Sequence, residues 1–207
     1  MPKLFISDHP LVADKLARMR DKGTVSSNFR RLMAETAMIM GVDVLKGVGT
    51  RKTTVRTPLK TGEARVLDQP LAFVAILRAG LGLSDGLLKL APEAAVGHIG
   101  MYRDEKTLNP VRYLVRLPPN LSEHFVVLCD PMLATGGSAS EAIRILKTDG
   151  AKHIALLTLL SSKAGVARIH HDHPDVPVYT AAVDAVLNAK GYIVPGLGDA
   201  GDRLFNT

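Results

Sequence analysis

The chain has 207 residues, 46% hydrophobic and 22% charged, which is ordinary globular usage and excludes a disordered chain. Its 26 basic and 20 acidic side chains leave a net charge of +6, but the basic residues form no long block. With no tryptophan in the chain either, a nucleic-acid partner is not expected.

Cys129 is the one cysteine, so an intrachain disulfide and a cysteine-based zinc site are excluded. Apolar runs such as Leu71 to Leu77 fall far short of the roughly twenty residues that a membrane helix needs, and the first ten residues do not read as a leader. The expectation is a single cytoplasmic domain over 1–207, with no membrane partner.

In chain order, the first forty residues predict helix. Leu11, Leu16 and Met19, then Leu32, Met33, Ala37 and Met40, recur at helical spacing behind an Asp8-His9-Pro10 start. Gly47-Val48-Gly49 ends that pattern. Thr53 to Thr57, rich in β-branched residues, and a second short run near Ala64 to Leu67 flank Pro58-Leu59-Lys60-Thr61-Gly62 and predict a hairpin. Its faces are polar, which suits an arm directed at another subunit.

From residue 71 the pattern changes. Ala72 to Leu77, Phe125 to Cys129 and Ile154 to Leu160 are short continuous apolar runs, as in strands buried on both faces. Val176 to Val183 predicts a further strand. Helical stretches over Leu81 to Leu90 and Ser138 to Lys147 lie between them. Alternating strand and helix predicts an α/β fold with an open, doubly wound, mostly parallel sheet. Ligands then bind beyond the carboxyl ends of the strands, in the loops after Leu77 and Cys129.

The segment after Cys129 carries the strongest chemical signal. Asp130 ends the strand, Pro131-Met132-Leu133-Ala134 turns, and Thr135-Gly136-Gly137-Ser138 opens a helix. Backbone N–H groups and hydroxyls at a helix N-terminus, with no bulky Cβ in the way, hold a phosphate. A carboxylate at Asp130 can accept hydrogen bonds from sugar hydroxyls. The same spacing also describes a plain corner in which Ser138 and Glu141 form a capping box. No lysine follows Gly137, which disfavours a nucleoside-triphosphate P-loop, and no G-x-G-x-x-G opens the helix.

Arg78 follows a buried strand and precedes Ala79-Gly80, so its guanidinium can fork onto phosphate oxygens. Gly191 to Asp202 holds four glycines and a proline, too irregular for a helix or strand interior, and such a loop exposes backbone donors and acceptors. His170, His171 and His173, near Asp172 and Asp175, read as a polar helix end rather than a metal cluster. Cys129 reads as a small core residue rather than a nucleophile.

These residues carry a resemblance. Asp130 to Ser138 resembles the phosphoribosyl-diphosphate loop of type I phosphoribosyltransferases, in the form typical of the uracil phosphoribosyltransferase family. Pro131 stands where most of the superfamily has a second acid. Ile76 to Gly82 looks like that family's diphosphate loop, and Gly191 to Asp202 like its uracil loop. Met101-Tyr102-Arg103 matches too, and the likeness runs from His9 to the C-terminus.

The resemblance implies a small hood built from the N- and C-terminal segments, with the hairpin as an arm. It implies transfer of a phosphoribosyl group to uracil. Asp130, Arg103 and Asp199 would be the catalytic residues. Arg78, Ala79, Gly80, Arg103, Asp130, Pro131, Met132, Leu133, Ala134, Thr135, Gly136, Gly137, Ser138 and Asp199 would bind phosphoribosyl diphosphate. Ile193, Gly198, Asp199 and Ala200 would bind uracil. Mg2+ would be held mainly by substrate, with no direct protein ligand. The family pattern further implies a homo-oligomer, a dimer or higher, and GTP as an effector.

The chain departs from that pattern at Ser161-Ser162-Lys163-Ala164-Gly165, where the family usually has Ala-Ala-Pro-Glu-Gly. Asn206 stands where glycine is typical. Two other readings compete: a phosphoribosyltransferase for a purine base, and a nucleotide-sensing, RNA-binding regulator of the same fold. Pro131 and the Tyr192 to Ala200 loop argue against the first, and Arg78 with an intact base loop against the second.

Overall fold

The continuous apolar runs become the central strands, and alternation along each one feeds two separate cores. In β4 (Leu71–Leu77), Leu71 and Phe73 enter one core while Ala72, Val74 and Ile76 enter the other. β7 (Phe125–Cys129) and β9 (His153–Ser162) alternate in the same way. Both faces must be apolar when both are covered, so these strands show no polar period. The computed structural model describes residues 3–103 and 110–207, and of Arg103 and Pro110 the backbone only.

The remaining elements, in chain order, are β1 (Leu4–Ile6), α1 (Pro10–Arg20), α2 (Ser26–Leu45), the hairpin β2 (Thr50–Arg56) and β3 (Thr61–Leu67), α3 (Leu81–Leu90), β5 (Ala95–Arg103) and β6 (Pro110–Arg116). Beyond β7 come β8 (Met132–Leu133), α4 (Gly137–Thr148), α5 (Lys163–Asp172), β10 (Val178–Asp184), β11 (Val186–Leu187), β12 (Ile193–Val194) and α6 (Ala200–Phe205). The main sheet runs β1-β10-β9-β7-β4-β5-β6, with β8 also paired to β9. All its pairings are parallel except β5 with β6. α4 and α5 cover one face; α1, α2, α3 and α6 cover the other. This is the open, mostly parallel α/β sheet expected. No helix among the described residues is long and apolar enough to cross a membrane.

The hood forms where the two ends of the chain meet. Val12, Leu16 and Met19 of α1 share a core with Ile193, Leu197, Ala200 and Leu204. The helical start is as read: His9 caps α1 by accepting the Leu11 N–H at 3.1 Å, with Pro10 in its first turn.

Three local expectations are corrected. The first forty residues are not helical throughout: β1 precedes α1, and the helix breaks at Asp21, whose side chain accepts the Gly23 N–H at 2.8 Å. β1 exists because it pairs with β10, Phe5 stacking on Tyr179 at 4.6 Å. The hairpin is longer than the two runs that predict it, pairing Thr50–Arg56 with Thr61–Leu67, and Gly62 belongs to a strand rather than the turn. The base loop is more regular than its glycines suggest: it contains β12 and enters α6 at Ala200.

Candidate active site

The carboxyl ends of β4 and β7 lie side by side, since the two strands are hydrogen-bonded neighbours. The loops that leave them therefore share one opening. A cavity of about 500 Å³ opens there, walled by Arg78, Ala79, Asp130, the Met132–Ser138 loop, Asp199 and Gly201. A second cavity, about 370 Å³, is walled by Lys190–Ile193 and Gly198–Gly201. Ala79, Met132, Ala134, Asp199 and Gly201 border both, so the two adjoin.

The phosphate-type loop is built by backbone geometry. Gly136 caps α4 with φ of +77°, a conformation that a side chain resists, and a Cβ there would come within 3.0 Å of the Gly165 carbonyl. Gly137 and Ser138 then start α4, whose positive dipole end faces the cavity. The capping-box alternative is not formed. Ser138 lies one residue inside the helix, and both Glu141 carboxylate oxygens accept from Arg144, at 2.8 and 2.6 Å.

Asp130 is half-buried at the end of β7, where, among the described residues, its carboxylate accepts only a long 3.4 Å bond from the Met132 N–H. Burial pushes its carboxyl up to about 7. Cys129 is fully buried in the adjoining strand, and burial drives its thiol well above the usual range, so it is a core side chain and not a nucleophile.

Across the opening, Arg78 pairs with Asp202 at 3.3 Å and lies over the Phe205 ring at 5.5 Å. Both members of the ion pair are about half exposed, so a diphosphate can displace it at little cost. Asp199 caps α6 by accepting the Asp202 N–H at 3.0 Å, which holds its carboxylate at the junction of the two cavities. His173, in the former histidine cluster, hydrogen-bonds to Ser140 at 3.0–3.1 Å. Among the described residues no group of three His, Cys, Asp or Glu side chains is placed to hold a metal.

The base-type loop is locked from outside the cavity. Arg20 makes two 2.8 Å bonds to the Asp184 carboxylate and a third, also 2.8 Å, to the Gly196 carbonyl. Asp184 in turn accepts the Gly196 N–H at 3.1 Å. Arg203 stacks on Phe29 at 4.5 Å and donates to the carbonyls of Met19, Asp21, Thr24 and Leu197. Gly196 has φ of +57°, and a Cβ would fall 2.1 Å from the Ile193 carbonyl oxygen.

The structure thus brings Arg78, Ala79, Asp130, Met132, Leu133, Ala134, Thr135, Gly136, Gly137, Ser138 and Asp199 to one cavity, and Ile193, Gly198, Asp199 and Ala200 to the other. Gly80 and Pro131 stand behind the walls instead. Gly80 caps α3 where a Cβ would strike the Cys129 carbonyl at 2.4 Å, and the Pro131 carbonyl accepts from Leu159 and Leu160. Arg103 ends β5; its side chain, and residues 104 and 105 after it, lie outside the described residues. Tyr113 is a wall residue that no local pattern signals. It reaches the cavity because β6 folds back on β5, where it stacks with Tyr102 at 6.4 Å.

A parallel sheet with a phosphate-type loop after one strand, a diphosphate-type loop after its neighbour and a hood over both defines the type I phosphoribosyltransferase class. Solved structures agree: a protein from Aquifex aeolicus superposes with a TM-score of 0.93 at 35% identity, covering 98% of this chain and 97% of its own. Adenine phosphoribosyltransferase from Trypanosoma brucei, at 15% identity and a TM-score of 0.62, shares the fold over 96% of this chain and 89% of its own. The uracil phosphoribosyltransferase profile matches residues 6–207, and the chain belongs to that family. Uracil phosphoribosyltransferase of Thermus thermophilus is 51% identical over 99% of both chains, and that of Bacillus cytotoxicus 49% identical over the full length of both.

Proposed function

We propose that the chain transfers the 5-phosphoribosyl group of 5-phospho-α-D-ribose 1-diphosphate to N1 of uracil, yielding uridine 5′-monophosphate and diphosphate. One observation carries this reading: the phosphate-type loop and the base-type loop line cavities that meet at Asp199, Ala79 and Ala134. Sugar and base can therefore face each other across one junction.

The 5′-phosphate sits on the Thr135–Ser138 turn, drawn by backbone donors and the α4 dipole. Asp130 accepts from the ribose hydroxyls. Cleavage at the anomeric carbon builds oxocarbenium-like charge on the sugar and negative charge on the departing diphosphate, as in glycoside cleavage. Arg78, with Arg103, neutralises the leaving group, while the hood holds the base in line and keeps water out. Backbone groups around Ile193 and Gly198 to Ala200 read the uracil edge. Cytosine would set its amino group against a donor, a mismatch that a hydrogen-bonding site rejects strongly.

Among the described residues, Asp130 and Asp199 are the carboxylates on the cavity wall, and hard oxygen donors in that number fit Mg2+ carried in by the substrate rather than a protein cage. Bound there, Mg2+ supplies positive charge to the diphosphate. The exposed β2–β3 arm supports a homo-oligomer, and family membership supports a GTP effector. Sedimentation and rates with and without GTP test these two.

The direct test incubates the protein with phosphoribosyl diphosphate, Mg2+ and each nucleobase in turn. Product with uracil is expected; product with a purine instead, or RNA binding with no product, overturns the reading.

The raised Asp130 carboxyl adds a pH prediction. Only the carboxylate can accept both ribose hydroxyls, and a group titrating at about 7 is mostly protonated at pH 6 and mostly ionised at pH 8. KM for phosphoribosyl diphosphate is expected to fall about tenfold over that interval. Asp130→Asn should remove that component and keep KM high at both ends. A parallel pH dependence in the variant would assign the titration to another group.

A further inference from the structure

The Ser161–Gly165 run, where this chain departs from the family pattern, lies directly behind the phosphate-type loop. Ser162 ends β9 and caps α5, its hydroxyl accepting the Gly165 N–H at 2.9 Å. The same hydroxyl donates to the Ala134 carbonyl at 2.5 Å, and the residue is 1% exposed. Its single proton is thus committed to the loop, out of reach of water. Gly165 presses on the same strip: a Cβ there would stand 2.6 Å from the carbonyl oxygens of both Leu133 and Ala134. The first turn of α5 is a floor for the loop, and Ser162 is the tether in it.

A planar trans peptide points its C=O and N–H to opposite sides. Holding the Ala134 carbonyl towards α5 therefore turns the Thr135 N–H away from α5. Thr135 and Ala134 both line the cavity in which the 5′-phosphate is placed. An untethered peptide could rotate, and the loop would have to be ordered again at each binding event.

We propose that Ser162 is a positioning residue for the sugar 5′-phosphate: its hydroxyl sets the Ala134–Thr135 peptide and with it the donor array of the loop. The proposal rests on the reading of that loop given above. Neighbouring Ser161 serves as its internal control. Ser161 bonds to Thr158 at 2.8 Å and to Thr180 at 3.0 Å, side chain to side chain, within the sheet.

The test is calorimetric titration of the full chain with ribose 5-phosphate, which presents the monoester without the diphosphate, alongside steady-state kinetics. Ser162→Ala should weaken ribose 5-phosphate binding about fivefold, the scale of the one hydrogen bond lost to the loop, and raise KM for phosphoribosyl diphosphate in step, while loss of the α5 cap lowers the melting temperature modestly. KM for uracil and kcat should stay within about twofold of the parent, because the hydroxyl bonds to no residue of the Lys190–Gly201 base loop. Ser162→Gly also removes the hydroxyl but is a better N-cap than alanine, so it should show the same binding loss with less cost to α5; it carries the test should the alanine variant not fold. Ser161→Ala should bind ribose 5-phosphate like the parent.

Equal binding by parent and Ser162 variants overturns the proposal and leaves the proposed reaction standing. A rise in both KM values together with a lower melting temperature also overturns it, by marking Ser162 as merely structural. Failure of the parent itself to bind ribose 5-phosphate would instead strike the reading of the loop.

Discussion

Replacing Arg78 with alanine is expected to lower kcat/KM for phosphoribosyl diphosphate by about a thousandfold, the scale seen when one preorganised charge-stabilising donor is removed. The melting temperature should hardly move. Among the described residues the guanidinium has a half-exposed ion pair with Asp202 and a loose contact with Phe205, and such pairs contribute at most about 1 kcal/mol. The charge therefore contributes little to the fold. Arg78→Lys should recover part of the loss, since an ammonium keeps the charge but not the two-pronged fit to phosphate oxygens. Initial rates at varied phosphoribosyl diphosphate, with a thermal melt, check both halves. Unaltered kinetics in the alanine variant would remove Arg78 from the site.

Asp184→Ala should act on the base instead. Arg20 and Asp184 together grip Gly196 by its carbonyl and its N–H, although neither side chain is among the residues walling either cavity. Removing the carboxylate frees the turn that sets Ile193 and Gly198 to Ala200, and KM for uracil should rise about a hundredfold, as misplaced reacting groups allow. KM for phosphoribosyl diphosphate should change far less. Stability should also fall, by about 3 kcal/mol, because the pair is mostly buried, with side chains 24% and 11% exposed, and Arg20 would be left uncompensated. Asp184→Asn, which keeps an acceptor, should be milder on both measures.

The acid limb has a definite sign. Arg20 holds the Asp184 carboxyl below its usual range, so the pair's stabilisation is complete above the ordinary aspartate value of about 4 and fades as pH falls through the lowered native one. The parent should lose stability over that window more steeply than Asp184→Asn. Equal acid-side slopes would mean that the pair contributes nothing.

Much of the site was legible because it is local. A strand of five buried residues, an acid, a turn of small residues and a helix are consecutive in the chain, and so are Arg78, Ala79 and the start of α3. The periods that mark them act over a few residues. Gly80 and Pro131 look like their neighbours in one dimension, and only the packing of α3 against Cys129, and of β9 against Pro131, shows that they support the loops rather than line the cavity.

The amino-acid sequence by itself determined the buried strands, α3, the hairpin arm and the phosphate-type loop, because each follows from side-chain periodicity or turn chemistry within a short window. Tertiary structure alone decided β1, which exists only through its pairing with β10. It also decided the place of Tyr113, the floor made by Ser162 and the bolting of the base loop by Arg20 and Arg203. The groups in those last contacts lie far apart in the chain, 28 residues for Ser162 with Ala134 and 164 for Arg20 with Asp184. No periodic pattern spans such distances. Those partners meet only once the parallel sheet has set its strand order and brought both ends of the chain over the same edge.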